Sequence, residues 1–494
     1  MAAAQGTVSA MDRKLHIDGV WQDAKEAGHL EIRDPATGEH VGSTAIAGRA
    51  DVDRAVAAAT RALPLWAETH ADQRARILHR AADLVEERID AIAEMLTREQ
   101  GKPVPDSRKE ISFGITVIRY YAEEGRRLGG SIRPSSRSDI RSLVTTAPVG
   151  VVGAIVPWNY PVDLYCWKVA PVLAAGCTLV AKPPHETPLA IAMVVQCFAD
   201  AGVPAGVLND IPGTGPEVGA ALAEHPGIRM ITATASVPAG QSIMRAAAGN
   251  LKRLSLELGG QSPFIVLDDA DPAEAAAAAV RRSFSNMGQI CIAVNRILVS
   301  RGIHKDFVEA LVAETKKIEL GHGVLPGVLY GPLLHEGVRQ RVAGHVADAV
   351  ARGGKLLIGG RVPTGSNFDR GFFYEPALVD EVPDAALALT EETFGPLAAI
   401  RPVADDREAL AVANALPFGL AAYVYSGDLE RAWTLADRIE AGAIGVNVND
   451  TTELQAPFGG WKMSGMGREL GPEGIEAFRE SKHVKMRVRD RLGG

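Results

Sequence analysis

The apolar positions change period several times along the chain. Residues 15–41 carry short apolar and polar alternations broken by Asp18-Gly19, Asp34-Pro35 and Thr37-Gly38, which predicts small strands joined by turns. The spacing then lengthens. Residues 51–66, 72–100 and 107–128 show helical apolar spacing behind acidic starts, as where Ala75, Ile77, Leu78 and Ala81 follow Asp72. Residues 129–149 read as an extended hairpin. From residue 150 strands and helices alternate: strand 151–156, helix 164–175, strand 178–181, helix 189–201, strand 207–211 and a helix near 216–224. A second series follows residue 291, with strands at 296–299 and 355–358 and helices at 304–318 and 337–352. Such alternation predicts an α/β chain with two Rossmann-like, mostly parallel sheets. The tail, 483–489, returns to period two and reads as a strand whose open edge invites pairing with another subunit.

At 494 residues the chain can bury a large core. A net charge of -8, from 52 basic and 60 acidic residues spread throughout, argues against nucleic-acid binding. Arg119, Arg126, Arg127, Arg133, Arg137 and Arg141 make one locally basic region, read as a solvated face or a subunit contact. Cys166, Cys177, Cys197 and Cys291 have neither zinc spacing nor a disulfide framework, which implies reduced thiols and a cytoplasmic setting. Met1-Ala2-Ala3-Ala4-Gln5-Gly6 lacks the pattern of an export signal, and no apolar run of about 18 residues occurs, so no membrane partner is expected.

The chemistry concentrates between residues 256 and 292, where Glu257 precedes Cys291 by 34 positions. One can act as a base and the other as a nucleophile. Gly288-Gln289-Ile290-Cys291 suits a tight turn carrying a reactive thiol; a buried structural cysteine is the alternative. Gly213-x-Gly215-x-x-x-Gly219 is one residue too long for the dinucleotide fingerprint, and a strand-to-helix turn explains it equally well. His335-Glu336 opens like a zinc-protease motif, but Arg339 stands where the second histidine belongs, so no metal is expected.

Leu256-Glu257-Leu258-Gly259-Gly260 followed by Asn286-x-Gly288-Gln289-x-Cys291 resembles the paired signature of the aldehyde dehydrogenase superfamily. Pro157-Trp158-Asn159-Tyr160-Pro161, Lys182-Pro183, Glu391-Glu392-Thr393-Phe394-Gly395-Pro396 and Pro457-Phe458-Gly459-Gly460-x-Lys462-x-Ser464-Gly465 extend the resemblance in order across most of the chain. It implies an NAD(P)-binding domain at 1–128 and 150–258, a catalytic domain at 259–460, and a bridging, oligomerising element at 129–149 and 475–494. A homodimer or homotetramer is implied. Cys291 would attack a small-molecule aldehyde, Asn159 and the Cys291 N–H would hold the oxyanion, and Glu257 would activate water to hydrolyse the thioester. Relatives that transfer the acyl group to coenzyme A lack that glutamate.

By the same resemblance Trp158, Lys182, His185, Ser236, Glu392 and Phe394 would meet NAD or NADP, with residues 235–240 at the pyrophosphate. His185 replaces a glutamate that repels a 2′-phosphate, so NADP is expected alongside NAD. The aldehyde tunnel would be lined by Phe113, Tyr160, Asp163, Trp167, Ile290, Ile292, Thr452 and Phe458. Trp167 stands where relatives oxidising succinic semialdehyde carry a carboxylate-binding arginine. Asp163 favours a cationic or hydroxylated aldehyde, aminoaldehydes first, unless it caps the following helix. A cysteine hydrolase without nicotinamide, or a non-catalytic relative of the same fold, remains the alternative.

Overall fold

The computed structural model describes residues 10–25 and 28–488. The expected leaderless N-terminus and the last residue of the expected tail strand, Arg489, lie outside them. Two parallel-rich sheets carry the architecture. The first has eight strands in the order Gly465–Met466, Arg253–Leu258, Met230–Ala235, Val151–Ile155, Thr178–Lys182, Leu208–Asp210, Leu15–Ile17 and Val20–Gln22. Its five central strands run parallel, and the flanking ones are antiparallel. The second has seven: Lys355–Ile358, Ala377–Asp380, Leu397–Val403, Val294–Ser300, Ser262–Val266, Ala421–Tyr425 and Ala443–Val446. All but the first of these pairings are parallel.

Only residues 259–261 connect Arg253–Leu258 in one sheet to Ser262–Val266 in the other. This short passage places the carboxyl end of the first sheet against the second. Asn159, Lys182, Ser236 and Glu257 all lie at or just beyond the carboxyl ends of parallel strands in the first sheet, where α/β sheets place their ligands. Arg479–Arg487 pairs antiparallel with Ile140–Pro148, and Ser131–Arg133 lies on the other side. The strand-like tail therefore starts earlier than its alternation suggested, and Ile132, Val484 and Met486 remain exposed on this small sheet.

Two departures from the expected elements have local causes. The helix expected at 72–100 is two helices, Ala71–Glu87 and Ile89–Gln100, because Arg88 leaves helical geometry at φ -107 and ψ 10. Its guanidinium pairs with Asp200 at 2.6 Å. The helix expected to begin at residue 164 begins at Pro161, which occupies the first turn without needing an N–H acceptor. All 14 of its residues are buried, so its sequence lacks an amphipathic stripe. Asp163 consequently lies within the first turn and is not the cap; its Oδ1 accepts from the Trp167 indole at 2.7 Å. Glu110 serves the helix start instead, accepting from the N–H groups of Val162 at 2.9 Å and Asp163 at 3.3 Å. Among the described residues no helix is long and apolar enough to cross a membrane.

Candidate active site

Cys291 reaches the seam by an unusual turn. The helix Pro272–Phe284, capped by the Asp271 carboxylate, gives way to three successive left-handed residues: Asn286 at φ 46, Met287 at φ 54 and Gly288 at φ 70. For the two residues with side chains this geometry costs of the order of 1–2 kcal/mol each. Hydrogen bonds hold it. Asn286 Nδ2 donates to the carbonyls of Asn159 at 3.0 Å and Gln289 at 3.3 Å, while Gln100 donates to Asn286 Oδ1 at 3.2 Å. Gln289 donates to the Asn286 carbonyl at 3.0 Å and accepts from the Leu334 N–H at 3.0 Å. Met287 packs into the apolar cluster with Leu333, Val338 and Val342. A Cβ on Gly288 would collide with the Gly395 carbonyl.

Asn159 is fixed from both ends. Its side-chain amide donates to the Gln289 carbonyl at 3.1 Å, and its own carbonyl accepts from Lys102 Nζ at 2.7 Å. The Lys102 ammonium also pairs with Glu110, and both side chains are fully buried. Asn159 has a second amide N–H, and this remains for an oxyanion beside Cys291.

Glu257 lies with both carboxyl oxygens buried, and the Cys291 thiol is the hydrogen-bonding neighbour of its carboxyl. Burial pushes its carboxyl up to about 8; Glu469 adds to the shift, while Cys291 and Lys168 oppose it. Burial likewise holds the Cys291 thiol well above its ordinary value, with Glu257 and Glu392 acting in the same direction and its own N–H opposing. Burial thus favours the protonated form of both groups. Behind it Lys168 Nζ lies 2.7 Å from both Glu469 Oε1 and Thr234 Oγ1.

Two cavities meet at Asn159 and Cys291. The larger, about 460 Å³, contains all eight tunnel residues expected from the sequence: Phe113, Tyr160, Asp163, Trp167, Ile290, Ile292, Thr452 and Phe458. Glu110, Arg282, Ser285 and Asp450 also line it. Glu110 and Asp450 arrive from remote elements with no shared motif, while Arg282 and Ser285 stand just ahead of the motif that ends in Cys291. The smaller, about 180 Å³, holds Trp158, Ser236, Glu257, Glu392 and Phe394, with His335 and Arg341 in addition. Lys182 and His185 line neither cavity. Lys182 is buried and donates to the Pro183 carbonyl at 3.1 Å, and His185 Nδ1 lies 3.3 Å from Glu186.

The smaller cavity fits the nicotinamide-ribose end of a dinucleotide. Burial pushes the Glu392 carboxyl up to about 7 against the opposing Gly260 N–H, which donates to its Oε1 at 3.0 Å. A Cβ on Gly259 would fill the space this carboxyl occupies. Ser236 starts the helix Val237–Ala247 and accepts from the Ala239 N–H at 3.4 Å, leaving its own O–H as a donor where the helix dipole favours an anion.

Two Rossmann-like sheets, a loop-borne thiol with a buried carboxyl beside it, and a larger cavity backing onto a ribose-sized one are the features of a dinucleotide-dependent oxidoreductase. Residues 21–484 match the model of the aldehyde dehydrogenase family. Glutarate-semialdehyde dehydrogenase of Pseudomonas aeruginosa is 39% identical over 472 residues, 96% of this chain and 97% of that protein. The NADP(+)-dependent succinate-semialdehyde dehydrogenase of Escherichia coli K12 is 39% identical over 95% of this chain and 96% of its own. Betaine aldehyde dehydrogenase from Staphylococcus aureus, solved with NAD+, superposes with a TM-score of 0.94 at 34% identity, covering 97% of this chain and 96% of that one. The chain belongs to the aldehyde dehydrogenase family. Its activity is oxidation of an aldehyde with reduction of NAD or NADP.

Gly288→Ala tests the turn. It is expected to cost roughly 1–3 kcal/mol from the left-handed Cβ alone and to lower kcat by displacing Cys291, since the collision is with backbone. A variant with parental thermal midpoint and kcat would show that the turn tolerates a side chain.

Proposed function

We propose that Cys291 is the nucleophile, Asn159 and the Cys291 N–H the oxyanion donors, and Glu257 the hydrolytic base. The observation that carries this reading is the convergence of Glu257, Asn159 and Cys291, from three separate segments, where the two cavities meet. The Cys291 thiol releases its proton to solvent, and sulfur bonds to the aldehyde carbon. The carbonyl oxygen gains the electron pair and is held by neutral N–H donors. NAD or NADP, when bound, supplies the hydride acceptor that leaves the substrate carbon as a thioester. Glu257 then takes a proton from water as its oxygen attacks the thioester carbon; the carbon–sulfur bond breaks, and the acid and the thiolate separate. Glu392 and Phe394 would hold the ribose and ring, and Ser236 the phosphate.

Cys291→Ala is expected to abolish steady-state reduction of the nucleotide while retaining its binding. Glu257→Gln should slow hydrolysis by about 10²–10⁴-fold and leave a pre-steady-state burst. Because burial raises Glu257, hydrolysis by the parent should quicken as pH rises through about 8 and then level, with that limb missing in Glu257→Gln. Ordinary turnover by Cys291→Ala would exclude the mechanism.

The domain division at 1–128 with 150–258, 259–460, and 129–149 with 475–494 is part of the proposal, as is a cytoplasmic setting. The three-stranded sheet supports assembly as a homodimer or homotetramer, because its exposed Ile132, Val484 and Met486 would otherwise face water. Light scattering should show a dimer or tetramer; a stable, active monomer contradicts this.

His185 and Lys182 support use of both nucleotides, since neither places a fixed carboxylate where the family's glutamate repels a 2′-phosphate. Glu186, 3.3 Å from His185, is the opposing charge. Catalytic efficiencies with NAD and NADP are expected within about tenfold. A difference on the order of a thousandfold would reject the idea.

For substrate, a neutral hydroxylated aldehyde fits better than the aminoaldehyde favoured by the sequence. Burial and then Glu110 raise the Asp163 carboxyl well above its ordinary value, so it meets a substrate as a hydrogen-bonding group more than as a fixed charge. Trp167 spends its indole N–H on Asp163 and has none left for a carboxylate. The semialdehyde substrates in the relatives' names are therefore not carried over to this chain. A parental preference for the carboxylate-ended member of a length-matched aldehyde series would exclude this class.

A further inference from the structure

The substrate cavity has a charged wall that the reaction leaves unused. Arg282, on the last turn of the helix Pro272–Phe284, lines the cavity with Ser285, Asp450 and Thr452. Its Nε donates to the Asn449 carbonyl, and its Nη2 lies 2.9 Å from Asp450 Oδ2. Asp450 is itself held, its Oδ1 accepting from the Thr452 N–H at 3.0 Å. Arg282 Nη1 forms no hydrogen bond among the described residues. A guanidinium anchored through two of its nitrogens cannot swing away, so the remaining donors stand preorganised.

The charge balance decides what this wall can take. Arg282 and Asp450 carry opposite charges 2.9 Å apart, so their fields on a ligand group nearly cancel, leaving hydrogen-bonding capacity without a net cation. Lys109 and Asp106, also on this cavity, again supply one charge of each sign, and Glu110 is already paired with Lys102. A substrate carboxylate would meet Asp450 as well as Arg282. A hydroxyl can accept from the guanidinium and donate to the carboxylate.

We propose that Arg282 is a specificity-determining residue, whose free Nη1 donates to a neutral hydroxyl at the end of the substrate remote from the aldehyde, while Asp450 screens the wall against carboxylates. This rests on the assignment of the larger cavity to a hydroxylated aldehyde and names the group that selects it. Burial works against the Arg282 charge, but Tyr423, Asp450 and Tyr160 outweigh it, so the donor persists across the working pH range.

The test compares kcat/KM for four aldehydes of equal length ending in methyl, hydroxyl, ammonium or carboxylate. In Arg282→Met the hydroxyl-to-methyl ratio is expected to fall about tenfold, mainly through KM, as loss of one charge-assisted hydrogen bond requires. An unchanged ratio, including an equal fall on both substrates, overturns the proposal. Asp450→Asn leaves Arg282 without its counter-charge, so the carboxylate-to-hydroxyl ratio should rise about tenfold. A ratio that stays put, or falls, overturns the screening role, and this variant decides the matter if Arg282→Met does not fold. Asp163→Leu separates the two levels. A parent with no hydroxyl preference and no response to Asp163→Leu defeats the substrate class, whereas a hydroxyl preference that survives Arg282→Met defeats only the role of Arg282.

Discussion

Polar groups buried where two sheets meet cost free energy unless they find partners, and the geometry around Cys291 depends on how this chain supplies them. Gln100, Lys102, Glu110, Asn159, Asn286 and Gln289 form one connected set. Gln100 receives the Lys102 N–H and passes a donor to Asn286, which in turn holds the carbonyls of Asn159 and Gln289. The Asn159 amide that would face an oxyanion and the loop that carries Cys291 are thus set by the same partners. Removing one member leaves its neighbours buried and unpaired, at about 1–3 kcal/mol for a neutral group and more for Lys102 or Glu110.

That network also explains the tolerance of a left-handed run from Asn286 to Gly288. A type of strain that a surface loop would relax is held here by four side-chain hydrogen bonds and by Met287 in the core. Glu257 is buried beside the same loop, at the edge of the smaller cavity. A solvated glutamate would be ionised at neutral pH, whereas burial pushes the Glu257 carboxyl up to about 8.

Much of this was legible in the sequence where residues are neighbours in the chain. The alternation after residue 150 announced the parallel sheets, and the motifs around Glu257, Asn159 and Cys291 carried the family. What escaped has a common cause. Lys102 lies in the short turn ahead of the helix Val104–Arg127 and Glu110 on that helix, charged residues with no motif around them, yet both side chains are fully buried at the seam. The helix Pro161–Ala174 is buried on every side, so its start could not be placed by an apolar stripe, and Asp163 looked like a cap for a helix that had begun three residues earlier. Arg282 and Asp450, 168 positions apart in the chain, become a pair only when the helix before Cys291 meets the loop after Ala443–Val446.

The two cavities divide the electrostatic work unequally. In the smaller cavity the carboxyl of Glu392 is lifted to about 7 by burial and kept in place by one backbone N–H, which leaves acceptor capacity for a ligand hydroxyl. On the substrate side formal charges are numerous but matched: Lys102 with Glu110, Arg282 with Asp450. Matched charges fix geometry without creating a long-range field, so selection there depends on donors and acceptors meeting the correct oxygen at contact distance. Under the proposed assignment the thiol, base and oxyanion donors can therefore stay as they are while the substrate class changes, since Arg282 and Asp450 would take no part in the bonds made at Cys291.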